Sequence, residues 1–282
     1  MNKILVTNIQ HFCLHDGQGI RTTVFLKGCF LKCPWCANPE NISNKVEYYI
    51  DSKICIGDKI GCKYNKECKN RSMSDSSCKL NAIKRYGNYY SANDLYEELI
   101  KDKPFYINGG GVTFSGGEPL MQINEYIEVL GKLKNQNINV CMETSLFAPS
   151  LNLELSLSYF DEYIVDVKLL DKEKCKAILN GNLDLYLSNI KLLFNSKKKV
   201  IYRIPLSYEY SLNEENLKNI ERLIKEYPPS RVEIFKLHNL AKSKYERLNK
   251  DFLEFKEVSD EDLNMITNRF EKLGVKTIIL KI

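Results

Sequence analysis

Three cysteines near the amino end of the chain have the spacing C-x3-C-x2-C, at Cys29, Cys33 and Cys36. They follow Arg21–Leu26, a run rich in β-branched and aromatic residues that predicts a strand. Three closely spaced thiolates can hold three irons of a cubane cluster and leave the fourth iron open for another ligand. A zinc ion with a histidine as its fourth ligand is the alternative. The candidate histidines for that alternative are His11 and His15.

A second motif with chemical meaning is Gly116-Gly117-Glu118, which follows a predicted strand at 112–115. Two adjacent glycines let a backbone approach a ligand closely, and a glutamate accepts a hydrogen bond from an ammonium group. A tight turn between a strand and a helix is the alternative interpretation. The turn alone explains the motif less well here, because the three-cysteine motif precedes it in the same chain.

Cysteine is the most unusual feature of the composition, with ten among 282 residues. In a cytosolic protein so many thiols indicate metal binding or catalysis rather than disulfides. Seven of the ten fall between Cys29 and Cys78. The other three are scattered, and we expect them to be small buried residues of the core. These three are Cys13, Cys141 and Cys175.

The remaining composition predicts a soluble cytoplasmic protein. Hydrophobic residues make up 44% and charged residues 27%, which excludes general disorder. No apolar run approaches the ~20 residues of a membrane span, and residues 1–8 lack the apolar core of a signal peptide. The net charge of +5 is small for a nucleic-acid-binding protein. Residues 51–85 carry nine Lys or Arg against four Asp or Glu. This local positive charge indicates either a solvated loop or compensation for the charge of buried thiolates.

Strand-like and helix-like segments alternate along the chain, which predicts an α/β protein with a parallel sheet. The predicted strands are 21–26, 112–115, 138–143, 163–167, 200–204, 232–235 and 275–280. The predicted helices are 121–133, 183–194, 214–226 and 259–273, with one more that starts at the capping box Ser91–Asp94. Residues 46–90 interrupt the alternation. We therefore expect a main domain of 1–45 and 91–282 with a Cys-rich insert at 46–90.

Polar residues stand where the predicted strands end. The carboxyl ends of the strands are the face on which α/β barrels build active sites, so we expect these side chains to share one site. The residues at or just beyond the strand ends are Cys29, Gly116, Gly117, Glu118, Glu143, Thr144, Asp166, Lys168, Arg203 and His238.

The combined motifs resemble the radical S-adenosylmethionine (SAM) superfamily, and their flanks resemble the activating enzymes of glycyl radical enzymes, relatives of pyruvate formate-lyase activating enzyme. The resemblance covers nearly the whole chain. It implies an incomplete (β/α)6 TIM-type barrel with a small Cys-rich ferredoxin-like insert. The flanking segments that carry it are 15–29, Ala37-Asn38-Pro39-Glu40, Asp166-Val167-Lys168, Arg203-Ile204-Pro205-Leu206 and 238–245.

The resemblance also implies an activity. A reduced [4Fe-4S] cluster held by Cys29, Cys33 and Cys36 passes one electron to the sulfonium of SAM, and the 5′-deoxyadenosyl radical removes a hydrogen from a glycine Cα of the partner enzyme. The same resemblance places Lys168 among the catalytic residues. The implied partners are a glycyl radical enzyme and, as electron donor, a flavodoxin or ferredoxin; no nucleic acid and no membrane are expected.

Further roles follow residue by residue from the resemblance. Gly116, Gly117 and Glu118 hold the amino end of SAM. Lys168, Arg203 and His238 contact its carboxylate or ribose region. Glu143, Thr144 and Asp166 match a monovalent-cation site, although Glu143 stands where the family has Asp. The loop Asp16-Gly17-Gln18-Gly19 receives the glycine-bearing loop of the partner, with Gln18 in place of the usual Pro.

The insert departs from the family pattern, because it has four cysteines where related inserts have eight. These four are Cys55, Cys62, Cys68 and Cys78. They favour one auxiliary [4Fe-4S] cluster, whose negative charge the basic residues would offset. A zinc site with four thiolate ligands and an insert without metal are the alternatives.

Two other functions remain open at this point. The first is radical SAM modification of another peptide or of a small molecule. The second is a non-catalytic iron–sulfur or zinc protein that transfers electrons or docks a partner. The Gly116-Gly117-Glu118 turn separates the second from the others, because an electron carrier needs no pocket for the ammonium group of SAM.

Overall fold

The structure is a computed structural model that describes residues 3–56, Cys62 and 78–281. Residues 57–61 and 63–77 of the predicted insert, Cys68 among them, lie outside the described residues. The described part contains one large sheet and one two-stranded sheet.

The large sheet has seven parallel strands whose order across the sheet follows their order along the chain. Helices connect most of these strands, which is the arrangement of (β/α) barrels. The α/β class with a parallel sheet is therefore confirmed, and each of the seven predicted strands is present. They are β2 (Arg21–Leu26), β6 (Gly111–Gly116), β7 (Asn139–Thr144), β8 (Glu162–Asp166), β9 (Lys199–Leu206), β10 (Arg231–Lys236) and β11 (Thr277–Ile279).

Two antiparallel strands, which the sequence did not predict, extend the sheet beyond β2. Strand β1 (Ile4–Cys13) pairs with β2, and β5 (Asn88–Tyr90) pairs with β1 at the edge. The second sheet consists of β3 (Glu47–Ile50) and β4 (Ile83–Tyr86), which are antiparallel. These two strands flank residues 51–82, so they form the base of the Cys-rich segment.

The helices lie between the strands, and a side-chain cap marks the start of five of them, of which the sequence predicted the two serine caps. Ser91 accepts a hydrogen bond from the backbone N–H of Asp94, and Ser259 accepts one from Asp262, each at 3.1 Å. Three of the helices, those at 150–156, 172–179 and 242–247, were not predicted. The bounds are α1 (Ala92–Ile100), α2 (Ile123–Asn135), α3 (Ser150–Ser156), α4 (Lys172–Leu179), α5 (Leu183–Asn195), α6 (Glu214–Glu226), α7 (Lys242–Arg247) and α8 (Asp260–Glu271).

The two faces of the sheet have different chemistry, because side chains alternate along each strand. One face packs against the helices and forms the main core, as where the ring of Phe114 stacks on Tyr126 of α2 at 4.7 Å. The other face begins with a small apolar group of Cys141, Ile164 and Ile201. Toward the carboxyl ends of the strands this second face becomes polar, and the candidate site lies there.

Candidate functional site

The three cysteines of the C-x3-C-x2-C motif share one cavity of about 270 Å³ at the carboxyl ends of the parallel strands. Most of the residues predicted for the site line the same cavity. Besides Cys29, Cys33 and Cys36 these are Asp16, Gly116, Gly117, Glu143, Asp166, Lys168, Arg203 and His238. Folding therefore brings together residues that are far apart in the chain, whereas Glu118 and Thr144 of the predicted set do not line the cavity.

Backbone hydrogen bonds hold the three-cysteine loop against the segment that follows it. The N–H of Gly28 donates to the carbonyl of Asn41 at 2.7 Å, and the N–H of Cys29 donates to Ile42 at 3.1 Å. Within the loop, the N–H of Leu31 donates to the sulfur of Cys29 at 3.4 Å. The loop is thus anchored at its start, with one amide already directed at a thiol.

The thiols suit a positively charged metal centre. Burial raises the pKa of the Cys33 thiol to about 12, although Lys168 nearby opposes this rise. Burial also raises the pKa of Cys29 and Cys36. Three neighbouring, partly buried thiolates repel one another, so a cationic group bound between them would stabilise the thiolate form. A cubane cluster held by three thiolates therefore fits the residues present.

The histidines proposed for zinc lie elsewhere. Nδ1 of His11 contacts the carboxylate of Asp102, and His15 offers its backbone carbonyl to Arg203 at 2.6 Å. Neither lines the cavity. Among the described residues, no three His, Cys, Asp or Glu side chains are grouped to hold a single metal ion.

The glycine pair lies directly against the three-cysteine loop. The N–H of Gly117 donates to Leu26 at 2.8 Å, and the N–H of Glu118 donates to Gly28 at 2.7 Å. A Cβ on Gly117 would lie 2.1 Å from the carbonyl oxygen of Gly28, and Gly116 has a φ of +108°. Only glycine fits these two positions, and both line the cavity.

Glu118 is buried beneath this turn and does not line the cavity. Its carboxylate accepts four hydrogen bonds. The donors are the N–H of Leu120 at 3.2 Å, the hydroxyl of Thr144 at 2.7 Å, and the N–H and hydroxyl of Ser145 at 2.9 and 2.6 Å. Burial raises the pKa of Glu118. Ser145, which was not predicted, lines the cavity, whereas Glu118 does not.

Asp166 and Lys168 form an ion pair on the wall of the cavity, with 2.7 Å between Oδ2 and Nζ. Burial disfavours the ammonium ion, but Asp166 and Cys33 outweigh this effect and raise the pKa of Lys168. Lys168 therefore stays cationic beside the thiols. Lys168 lies two residues beyond the end of β8, and the ion pair with Asp166 shows that both side chains lie on the same side of the chain.

Arg203 joins two glutamates and the loop before β2. It bonds Glu143 at 2.5 Å, Glu233 at 2.8 Å and the carbonyl of His15 at 2.6 Å. Burial opposes ionisation of Glu143, but Arg203 and the hydroxyl of Ser115 outweigh it and lower its pKa. Glu233 was not predicted, because nothing in its local sequence marks a buried strand residue as a partner for arginine.

The residues predicted to bind a monovalent cation are engaged with other groups. Glu143 pairs with Arg203, Asp166 pairs with Lys168, and the hydroxyl of Thr144 donates to Glu118. Glu143 and Asp166 line the cavity, whereas Thr144 does not.

The loop predicted to receive a partner is only partly at the cavity. Asp16 lines it, with its carboxylate accepting from the hydroxyl of Thr23 at 2.6 Å. Burial and the charge of Glu143 raise the pKa of Asp16. The following Gly17, Gln18 and Gly19 do not line the cavity, and Gln18 donates to the carbonyl of Asn108, ahead of β6, at 3.1 Å.

His238 lines the cavity from the turn after β10. Its Nδ1 accepts from the N–H of Leu240 at 3.3 Å, which fixes the ring at the start of a short 3-10 turn.

The described cysteines of the Cys-rich segment are half-buried. They are Cys55, Cys62 and Cys78. The N–H of Asp51 donates to the carbonyl of Ala82 at 2.8 Å, just beyond the paired strands β3 and β4. The N–H of Cys55 donates to the carbonyl of Asp51 at 2.9 Å, which forms a turn after β3. In the described ranges, no helix combines the length and apolar character that crossing a membrane requires.

Comparison with known proteins agrees with this geometry. Residues 15–184 match the family model described as a 4Fe-4S single cluster domain. The chain is 31% identical to the indoleacetate decarboxylase activating enzyme of Tractidigestivibacter scatoligenes, over 98% of this chain and 97% of that protein. It is 32% identical to the pyruvate formate-lyase 2-activating enzyme of Escherichia coli (strain K12), over 97% and 91%.

Among solved structures, a domain of a pyruvate-formate lyase-activating enzyme from Bacteroides vulgatus superposes with a TM-score of 0.52 at 23% identity, covering 61% of this chain and all of that one. The fold and the three-thiol cavity define an iron–sulfur protein of the radical SAM type. More narrowly, the chain belongs to the family of glycyl radical enzyme activating enzymes.

Proposed function

We propose that this protein cleaves SAM reductively and removes a hydrogen from a glycine Cα of a partner glycyl radical enzyme. The observation that carries the proposal is the single cavity shared by three thiols, two obligatory glycines and the Asp166–Lys168 pair. Cys29, Cys33 and Cys36 would hold the [4Fe-4S] cluster. When bound, the cluster supplies the electron that breaks the bond between the sulfonium and the 5′ carbon of SAM.

The chain's own residues bind and orient SAM in this proposal. Gly116 and Gly117 present backbone groups to its amino end, and Glu118 acts at the same end by holding Ser145 toward the cavity. A fixed cation near the thiols suits the carboxylate of SAM, and Lys168 is such a cation. Arg203 and His238 would contact the carboxylate or ribose region.

Burial of these groups also limits side reactions. A primary carbon radical attacks nearby C–H bonds, so the target must be oriented and competitors excluded. The Asp166–Lys168 and Glu143–Arg203 pairs on the cavity wall are each held by an ion pair, so their side chains have little freedom to move toward the reacting atoms.

We assign the partner's glycine-bearing loop to the Asp16 side of the cavity. The carboxylate of Asp16 accepts from Thr23 and its backbone carbonyl accepts from Thr113, so the residue is fixed at the cavity. The variant Asp16→Ala should lose more of the glycyl radical yield than of the uncoupled 5′-deoxyadenosine yield. Electron spin resonance and chromatography measure the two. Equal losses would place Asp16 with SAM instead.

The physiological reductant in this proposal is a flavodoxin or ferredoxin, and the Cys-rich segment holds an auxiliary [4Fe-4S] cluster. The β3–β4 pair supports the second point, because it brings the chain ends that carry Cys55 and Cys78 to one side. A monovalent cation near Glu143, Thr144 and Asp166 is a further part of the proposal. Potassium-dependent SAM binding would support it.

One variant tests the central claim. Replacing Cys29, Cys33 and Cys36 together by Ala should abolish both the SAM-sensitive cluster spectrum and 5′-deoxyadenosine formation. Cys175→Ala is the matched control, because this buried cysteine lies in α4 and outside the cavity. If the triple variant still forms 5′-deoxyadenosine under reduction, the assignment of the cluster is wrong.

A further inference from the structure

The segment that follows β10 folds back over the three-cysteine loop, and Tyr245 of α7 is its main contact. The side chain of Tyr245 is buried. Its hydroxyl donates to the carbonyl of Cys36 at 3.1 Å and lies 3.4 Å from that of Pro34. Tyr245 thus bonds the backbone of a cysteine 209 positions away in the chain.

Lys244, next to Tyr245, fixes the residues just after the loop. Its Nζ bonds the side-chain oxygen of Asn38 at 2.7 Å and the carboxylate of Glu40 at 2.7 Å. It also bonds the carbonyl of Ala37 at 3.2 Å. Two adjacent side chains of one helix therefore hold both the last cysteine and the chain that leaves it.

Aromatic rings pack against both partners of this contact, the three-cysteine loop and α7. Trp35, inside the motif, packs on Tyr210 with 4.7 Å between ring centroids. Tyr245 packs edge-on against Phe252 at 5.2 Å. Each ring pair therefore has one member at the loop: Trp35 lies between Cys33 and Cys36 in the chain, and Tyr245 bonds the carbonyl of Cys36.

The other end of α7 reaches the base of the Cys-rich segment. The guanidinium of Arg247 lies 5.1 Å from the ring centroid of Tyr49 on β3. Tyr49 stacks on Tyr86 of β4 at 4.6 Å. Because a cation is attracted to the face of an aromatic ring, this contact ties α7 to the two-stranded sheet.

We propose that Tyr245 is a positioning residue for the three-cysteine loop, held in place by a helix that is itself fastened to the β3–β4 sheet through Arg247. This inference rests on the proposed function. Groups that hydrogen-bond to metal-binding residues hold those residues in orientation. Loss of such a group commonly lowers metal affinity or activity by roughly 10- to 100-fold. The Tyr245 hydroxyl bonds the carbonyl of Cys36, so its removal leaves this part-buried carbonyl without that donor and loosens the loop at its last cysteine.

The test compares Tyr245→Phe with Tyr202→Phe. Tyr202 is a matched control, because its hydroxyl also donates to a backbone carbonyl, that of Tyr227 at 2.8 Å, away from the cavity. After anaerobic reconstitution, Tyr245→Phe should lose iron to a chelator roughly ten times faster than wild type. It should also shift the spin-resonance signal of the reduced cluster with SAM, whereas Tyr202→Phe should match wild type in both.

Three outcomes decide the proposal. If Tyr245→Phe matches Tyr202→Phe in iron loss and spectrum, the positioning role is overturned while the proposed function stands. If wild type shows no SAM-sensitive cluster, the proposed function fails and the inference fails with it. Arg247→Met should change iron loss in the same direction by a smaller factor; no change there would overturn the link to the β3–β4 sheet.

Discussion

At the scale of single residues, the charged groups around the cavity are held by defined partners. Lys168 has Asp166, Arg203 has Glu143 and Glu233, and Glu118 has four donors. Buried ionic groups with such partners keep one geometry, since each alternative arrangement would leave a charge unsolvated. The cavity therefore presents fixed charge to whatever binds there.

Glu118 gives the sharpest residue-level prediction. Glu118→Gln keeps the shape but replaces one acceptor oxygen by an amide donor, which must then face the hydroxyl and N–H donors of Thr144 or Ser145. We expect a loss of about 1–3 kcal/mol in the free energy of unfolding and weaker SAM binding. Urea denaturation and calorimetry measure these. Glu128→Gln, on the exposed face of α2, should stay within about 0.5 kcal/mol; a Glu118→Gln variant that behaves the same would contradict the role given to this carboxylate.

The three scattered cysteines give a prediction about reactivity. Burial raises the pKa of Cys13 and Cys175 to about 11, and that of Cys141 to about 12. Below those values the protonated thiol dominates, so thiolate forms only as the pH rises past about 11. Iodoacetamide at about pH 8, near the pKa of a free thiol, should leave all three unmodified in the folded protein and modify them after unfolding, as read by mass spectrometry. Rapid labelling of the native protein would refute their place in the core.

At the scale of elements, the close approach between the β6 turn and the three-cysteine loop sets the site. Gly117→Ala should displace this loop, because the new methyl group would meet the Gly28 carbonyl at 2.1 Å. We expect a loss of about 1–3 kcal/mol in stability together with weaker cluster retention. Thermal unfolding and iron analysis test both quantities.

Gly131→Ala is the control for that experiment. Gly131 lies within α2, and a Cβ there meets nothing within 4 Å. Alanine in a helix interior is favoured over glycine, so this variant should gain about 0.5–1 kcal/mol. Similar losses of stability and iron in both variants would mean that the contact between Gly117 and the Gly28 carbonyl does not determine either quantity.

Some of the secondary-structure elements could be predicted from the sequence and others could not. All seven parallel strands were predictable, because their β-branched runs are local signals, and so were the Ser91 and Ser259 caps. Strand β1 was missed, since Asn8 and Gln10 interrupt its apolar pattern where one face is exposed. The same distinction holds for the site. The spacing of its cysteines is visible in the local sequence, whereas Ser145 and Tyr245 act through contacts that only the folded chain makes.

At the scale of the whole molecule, two contacts seen among the described residues attach strand β3, at the base of the Cys-rich segment, to the rest of the protein. Lys27, buried just after β2, bonds Glu47 of β3 at 2.6 Å, and Arg247 covers Tyr49. The segment is therefore joined to the same loop that carries the thiols, since Lys27 stands two residues before Cys29.

Iron content tests what this segment holds. We expect about eight irons per chain with an auxiliary cubane cluster, and about four if the segment holds zinc or no metal. Cys55→Ala and Cys78→Ala should lower the count to about four and leave the SAM-sensitive signal in place. Cys13→Ala is the control. Full iron in both variants would refute an auxiliary cluster.

The loop of residues 15–19 has a consequence for the order of events. It is fixed to Arg203 through His15, and Gly19 packs against Gly110 ahead of β6, so it stands between the cavity and the amino ends of the strands. On the proposed function, SAM and the partner's glycine would both reach the cavity from the carboxyl ends of the strands, and a docked partner of enzyme size would cover that entrance. Turnover should therefore follow a compulsory sequence, in which the small reactant enters first and 5′-deoxyadenosine leaves last.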